Sequence, residues 1–151
     1  MITVAMATTV SATPARVWRA LTVPAEIMGW DEHLLAMNDP LSGYPQEGQS
    51  VRWRYRLGSV EVILRNSLLD VVPHERLRSS ASMGLFRFDE TFTLSKEDDD
   101  LERTHLRLKL IAANSLPVVG GLLDRFNVRR LASEIVDRKL RSLQKWCENH
   151  T

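Results

Sequence analysis

Residues 13–30 read TPARVWRALTVPAEIMGW, from Thr13 to Trp30. This stretch decides how the rest of the chain is read. Thr13 followed by Pro14 is an N-cap with proline at the first helical position, where its missing N–H costs nothing. Val17, Trp18 and Leu21 then supply an apolar stripe, and Pro24 restarts a second short helix whose buried side is Ile27, Met28 and Trp30. Upstream, residues 2–10 alternate. Ile2, Val4, Met6, Thr8 and Val10 share one face and Thr3, Ala5, Ala7 and Thr9 the other, the pattern of a half-buried strand. The order of strand and helix pair, followed by a long all-strand stretch and one long final helix, describes a sheet wrapped around a terminal helix.

Downstream of the helix pair, Asp39-Pro40 and Gly43-Tyr44-Pro45 mark a turn-rich connection. From Ser50 to Ala113 the period is two. Val51, Trp53, Tyr55 and Leu57 oppose Arg52, Arg54 and Arg56, and Gly58-Ser59 closes a hairpin into a run over Val60–Val72. That run is long for one strand. Its apolar phase passes from Val60, Val62 and Leu64 to Leu69 and Val71, which predicts a bulge near Asn66–Leu68. Pro73-His74-Glu75 turns into Leu77–Met83, and Gly84 turns again. Phe86, Phe88, Phe92 and Leu94 then oppose Arg87, Asp89, Thr91 and Thr93. Beyond the solvated tip at Asp98-Asp99-Asp100, Thr104, Leu106, Leu108 and Leu110 oppose Arg103, His105, Arg107 and Lys109. Consecutive strands with short turns predict an antiparallel sheet with one wet face.

After Asn114 the period becomes helical. Ser115-Leu116-Pro117 reads as the cap of a first turn, interrupted by Gly120-Gly121. From Leu122 to Glu148 a stripe of Val128, Leu131, Ala132, Ile135, Val136, Leu140, Leu143 and Trp146 predicts one helix of about 40 Å, long enough to cross the sheet.

The bounds are ordinary. The chain has 151 residues, and its 44% hydrophobic and 26% charged content, with 7 glycines and 6 prolines, indicates neither disorder nor a fibrous repeat. A net charge of +1 gives no bulk reason to expect a polyanion partner. No apolar run approaches the ~20 residues of a membrane span, and the first residues do not resemble a signal peptide. The one cysteine, Cys147, fits a reducing compartment, so a cytoplasmic location is expected.

The chain resembles the Bet v 1-like, or START-like, helix-grip superfamily, and within it the bacterial proteins of polyketide cyclase/dehydrase type. The residues that carry the likeness are Pro14-Ala15-Arg16-Val17-Trp18, Thr22-Val23-Pro24-Ala25-Glu26 with Trp30, and the Gly48-to-Tyr55 approach to the sheet. Val71-Val72-Pro73-His74-Glu75-Arg76-Leu77 and the closing amphipathic helix also match. The resemblance implies an α+β helix-grip fold over residues 1–151 as one domain: a curved seven-stranded antiparallel sheet gripping the last helix, with a cavity between. Fold alone does not supply a function.

The strand phases place Trp53, Tyr55, Val62, Leu64, Phe86, Phe88, Phe92, Leu106, Leu108 and Leu110 toward the helix. Glu90, between Phe88 and Phe92, is out of place among them. A carboxylate on an apolar face must be paired, hydrogen-bonded or protonated. It reads either as a ligand-orienting acceptor or general base inside the cavity, or as a structural glutamate paired with Arg65, Arg129 or Arg130. Asn66 and Tyr55 are the other polar groups of the inward set, Tyr55 reading equally as a plain core tyrosine and the phase of Asn66 depending on where the bulge falls. The expected cavity set is Trp53, Tyr55, Leu64, Asn66, Phe86, Phe88, Glu90, Phe92 and Leu108, with Glu90 the candidate catalytic residue. Pro117, Gly120 and Gly121 form a candidate gate at the cavity mouth.

His33, His74, His105 and His150 are scattered without metal-ligand spacing, no Gly-x-Ser-x-Gly elbow frames a serine, and no phosphate-cradling glycine loop is present. Neither a metal nor a cofactor is therefore expected. Arg52, Arg54, Arg56, Arg87, Arg103, Arg107 and Lys109 on the opposite face read as a solvated sheet surface, without the interleaved aromatics of a nucleic-acid binder. The expected function is binding of a small hydrophobic ligand, lipid-like or polycyclic, by a monomer or homodimer. The alternatives are a cyclase or dehydratase using Glu90 as base, and a ligand-free interaction module with a filled interior.

Overall fold

A computed structural model describes residues 1–38, 42–84, 86–113, 116–118, 121–123 and 125–150, and the side chains of these except residues 57, 116–118, 121–123 and 125–126. In chain order the elements are β1 (Ile2–Val10), α1 (Pro14–Thr22), α2 (Pro24–Trp30), β2 (Leu34–Met37), β3 (Ser50–Leu57), β4 (Val60–Val72), β5 (Arg76–Met83) and β6 (Phe86–Glu97). β7 (Asp100–Ala112), the short β8 (Leu116–Val118) and β9 (Gly121–Leu123), and α3 (Arg125–Asn149) follow. The first seven strands form one sheet in the order β1-β7-β6-β5-β4-β3-β2. Every neighbouring pair is antiparallel. With α3 packed on its inner face, this is the helix-grip arrangement that the residue pattern and the resemblance imply.

The period-two phases hold along most of the sheet. Val51 and Trp53 of β3, Leu77 and Ala81 of β5, Phe92 and Leu94 of β6, and Leu106, Leu108 and Leu110 of β7 are buried, while their alternates face solvent. Hairpin turns fall at Gly58 and Gly84, whose φ angles of 64° and 60° lie in the left-handed region that glycine adopts without a steric cost. On the outer face Arg54 pairs with Glu61 at 3.7 Å and Arg78 with Asp89 at 3.9 Å.

Three features depart from the sequence expectations. The irregularity in β4 comes later than predicted: the register steps from Leu68↔Ser79 to Asp70↔Arg78. Leu69 is therefore the inserted residue, 45% exposed rather than part of the apolar phase. Asn66 and Leu68 keep the phase of Leu64 as a result. Second, β2 was invisible in the sequence, being a four-residue edge strand with no room for an alternation to show. Third, residues 116–123, expected as the start of the terminal helix, contain two short paired strands, with Pro117 opposite Leu122 and Val118 opposite Gly121. Proline and paired glycines disfavour a helix interior, and α3 begins only at Arg125. Its 25 residues still make a rod of roughly 37 Å.

The helix pair forms as its caps predict. The Thr13 hydroxyl accepts from the Arg16 N–H at 3.1 Å, and the Val23 N–H closes α1 onto the Arg19 carbonyl before Pro24 opens α2. The Trp30 indole N–H donates to the Ala20 carbonyl at 2.7 Å and fixes the angle between the two helices. Glu26 then joins both to the end of α3. It accepts from Arg16 at 2.7 Å and from the Trp146 indole at 3.0 Å, while Trp146 stacks on His150 with ring centres 3.7 Å apart. Burial would raise the Glu26 carboxyl, but the two hydrogen bonds together with the charges of Arg16 and Arg19 outweigh it and hold it below its ordinary range.

Candidate functional site

Between α3, α2 and the concave face of the sheet lies an interior pocket with a free volume of about 100 Å³. Eight of the nine residues expected at a cavity line it together: Trp53, Tyr55, Leu64, Asn66, Phe86, Phe88, Glu90 and Phe92. Leu108 does not. It is fully buried in the core, and Leu110, two residues along β7, reaches the pocket instead. The helix contributes Val128, Leu131, Ala132 and Ile135, one continuous stripe at helical spacing. Phe86 and Phe88, only half-buried, lie against one another with ring centres 5.2 Å apart. Of the expected gate, Pro117 and Gly121 fall in β8 and β9, and Gly120 lies outside the described residues.

The polar groups of this pocket are neighbours, centred on one ion pair. Glu90 is buried, and its Oε1 is 2.5 Å from the ammonium of Lys139 on α3, the two side chains being 10% and 15% exposed. Glu90 is thus paired, but not with the arginines considered from the sequence. Arg65 alternates with Leu64 and Asn66 and so faces outward, and Arg129 and Arg130 sit on the exposed side of α3. Burial alone would pull the lysine's pKa down. The Glu90 carboxylate, Asp31, and the hydrogen bond to Glu90 outweigh it, and the pKa stands above its ordinary value. Lys139 therefore stays a cation.

Asp31, the residue that ends α2, is 7% exposed and also lines the pocket. Tyr55 faces this group. Burial raises its hydroxyl's pKa, Asp31 adds to that, and Lys139 and Arg138 act in the opposite direction. Tyr44, at the edge of the pocket, is pushed up to about 12 by burial. On the sheet side, Ser79 stands directly opposite Glu90 in the β5–β6 ladder and is itself buried. Asn66 pairs with Ala81 and is a diagonal neighbour of Ser79. Asn66, Ser79, Glu90 and Lys139 thus make a polar diagonal across an otherwise apolar concave surface.

Next to the charged end is a niche of about 10 Å³, room for a single water, lined by Trp30, Asp31, Glu32, His33, Arg138, Lys139 and Ser142. Trp30, Asp31 and Lys139 belong to both the niche and the main pocket. His33 Nδ1 lies 3.1 Å from the Arg56 carbonyl, and its ring stacks on Tyr55 with centres 5.6 Å apart.

A curved antiparallel sheet closed on a terminal helix over a pocket of this kind defines a START-like, helix-grip protein. The chain belongs to the family described as polyketide cyclase/dehydrase and lipid transport, whose profile matches residues 1–148. Solved structures agree in fold. The START superfamily protein from Mycobacterium smegmatis superposes with a TM-score of 0.78 at 14% identity, covering 99% of each chain. Protein MLL2253 from Mesorhizobium loti gives 0.73 at 22% identity, again over 99% of each chain. CalU16 from Micromonospora echinospora gives 0.65 at 17% identity, covering 96% of this chain and 75% of its own. No curated protein matches the sequence. Among the described residues no helix is long and apolar enough to cross a membrane.

Sequence reasoning missed Lys139, Asp31, Ser79 and Tyr44. The signal for Lys139 was present: it follows Val128, Leu131, Ala132, Ile135 and Val136 at helical spacing, a lysine on the apolar stripe. Ser79 shares the inward phase of Leu77 and Ala81. Asp31 and Tyr44 carry no such signal, because each lies in a connection without a period.

Proposed function

We propose that this chain binds a small, largely apolar molecule, lipid-like or polycyclic, in the pocket between α3 and the sheet. The observation that carries this reading is an aromatic-rich interior containing one buried, mutually satisfied charge pair, Glu90–Lys139, where a plain core would hold only apolar groups. Ligand sites are mostly apolar with a few placed polar groups, and the family's description names both lipid transport and cyclase/dehydrase activity. A free volume of about 100 Å³ is below the ~300 Å³ typical of such sites. A ligand of two or more rings therefore enters by displacing side chains, and the half-buried Phe86 and Phe88 are the ones with solvent to move into.

The cyclase or dehydratase reading uses Glu90 as a base. One of its two oxygens, Oε1, is already held by the Lys139 ammonium, whose charge the carboxylate balances, and this favours binding over proton abstraction. A thermal-shift screen against long-chain alcohols, sterols and polyhydroxylated aromatics tests the proposal. A ligand at a hundred times its Kd adds about 2.7 kcal/mol, worth roughly 5–10 °C in a chain of this length. Filling the pocket with Ala81→Trp should abolish the shift. A screen with no shift from any compound overturns the reading. Turnover that vanishes in Glu90→Gln while affinity persists replaces it with the enzyme.

A further inference from the structure

The pocket wall holds an acceptor that nothing in the free protein satisfies. Among the described residues, two buried side-chain polar atoms have no hydrogen-bond partner, Asn66 Oδ1 and His33 Nε2. Asn66 lies in the pocket wall and His33 in the niche that shares Trp30, Asp31 and Lys139 with it. Asn66 Oδ1 is an amide oxygen. His33 Nδ1 donates to the Arg56 carbonyl, and its Nε2 has the Glu32 carboxylate 3.8 Å away, too far for a hydrogen bond. A buried acceptor without a partner is costly, so a molecule that brings a donor to it gains what the free protein lacks.

The charges point the same way. The pocket is lined by two carboxylates, Asp31 and Glu90, against one cation, Lys139, which Glu90 already engages. The niche adds Glu32 and Arg138, which offset one another. A ligand carboxylate or phosphate would lose its water shell, meet a surplus of negative charge, and turn its lone pairs toward those of Asn66.

We propose that the pocket selects uncharged molecules bearing hydrogen-bond donors, of the phenol or alcohol class, and rejects carboxylates and phosphates. The inference rests on the binding reading above and narrows it to a ligand chemistry. Asn66 receives a ligand hydroxyl at the sheet end of the polar diagonal. Glu90 and Lys139 lie two strand spacings away, roughly 10–12 Å along the diagonal, and set the far limit of the polar surface.

Three probes with one body separate the terms: 2-naphthol, 2-methoxynaphthalene and 2-naphthoate, titrated against the full chain by calorimetry. Naphthol should bind about tenfold more tightly than the methoxy compound, the difference of one donated hydrogen bond, and more tightly still than the anion. Asn66→Leu should erase the naphthol preference while the ligand-free melting temperature holds or rises, because it removes an acceptor that has no partner in the free protein. A structural asparagine would show the opposite, a lower melting temperature with the preference kept. Asn66→Asp retains acceptors and should keep the preference, which guards against a misfolded leucine variant. Naphthoate binding as well as naphthol, or the preference surviving in Asn66→Leu, overturns the inference and leaves the binding reading standing. Failure of all three probes also overturns it, and takes the binding reading with it only if the wider screen is empty too.

Discussion

Lys139→Met should destabilise the fold by about 3–5 kcal/mol, because it leaves Glu90 charged, 8% exposed and unpaired against an apolar sheet face. At 2–4 °C per kcal/mol for a chain of this size, the melting temperature should fall by roughly 6–20 °C. Glu90→Leu should cost less, since Lys139 keeps Asp31 as a neighbouring charge. The double variant Glu90→Leu/Lys139→Met should lie near the parent or above it, because replacing a buried ion pair with apolar groups of similar volume is often neutral or stabilising. The four proteins form a double-mutant cycle, read by urea denaturation at fixed pH. A second signature is pH. Stability of the Lys139→Met variant should recover as the pH is lowered, because protonating Glu90 removes the stranded charge. Lys139→Met costing less than about 1 kcal/mol, with no pH dependence of its own, would mean the pair behaves as a solvated surface bridge and would refute the reasoning.

Gly29→Ala should destabilise the helix pair: a Cβ there would stand 2.5 Å from the Trp146 ring, which its bond to Glu26 and its stacking on His150 hold in place. The expected cost is about 1–3 kcal/mol by denaturant titration, and Trp146→Leu should relieve part of it. Cys147 is fully buried and its thiol is pushed up to about 11, so a thiol reagent at pH 8 should label it only as fast as the protein opens. Labelling at the rate of a free peptide thiol would contradict its placement. On the acid side, the Glu26 carboxyl is held below its ordinary 4.5. A depressed carboxylate contributes stability that is present above the unfolded value and lost as pH falls through the folded one. Melting temperature should therefore drop below pH 4.5 by less in Glu26→Gln than in the parent.

The sequence displayed most of the fold because its determinants are local. Caps at Thr13 and Pro24, period-two phases and turn residues at Gly58 and Gly84 each act within a few positions. Glu90 was legible on the same terms, as a polar residue in an apolar phase. Its partner was not, because which face of α3 meets the sheet depends on how far the helix rotates, and no residue in the helix states that alone. Lys139 on the apolar stripe was the nearest thing to a statement of it. Residues 116–123 misled because their apolar composition suits a helix, whereas Pro117 and the paired glycines favour the short strands observed. The shift of the bulge to Leu69 had the larger consequence for the site, since it fixed Asn66 on the inner face.

The long-range closures of this fold also impose an order of assembly. β1 has its partner in β7, with Ile2 opposite Ala112 and Val10 opposite Thr104, and Glu26 finds Trp146 only near the other end of the chain. A chain emerging at about 5–20 residues per second exposes its first strand, edge unpaired, for several seconds before that partner exists. The helix pair waits longer still for its clamp. Folding that depends on such distant contacts is slow for its size. The contacts that hold β1 and the helix pair in the finished protein therefore leave the nascent chain with an unmatched strand until β7 has been made.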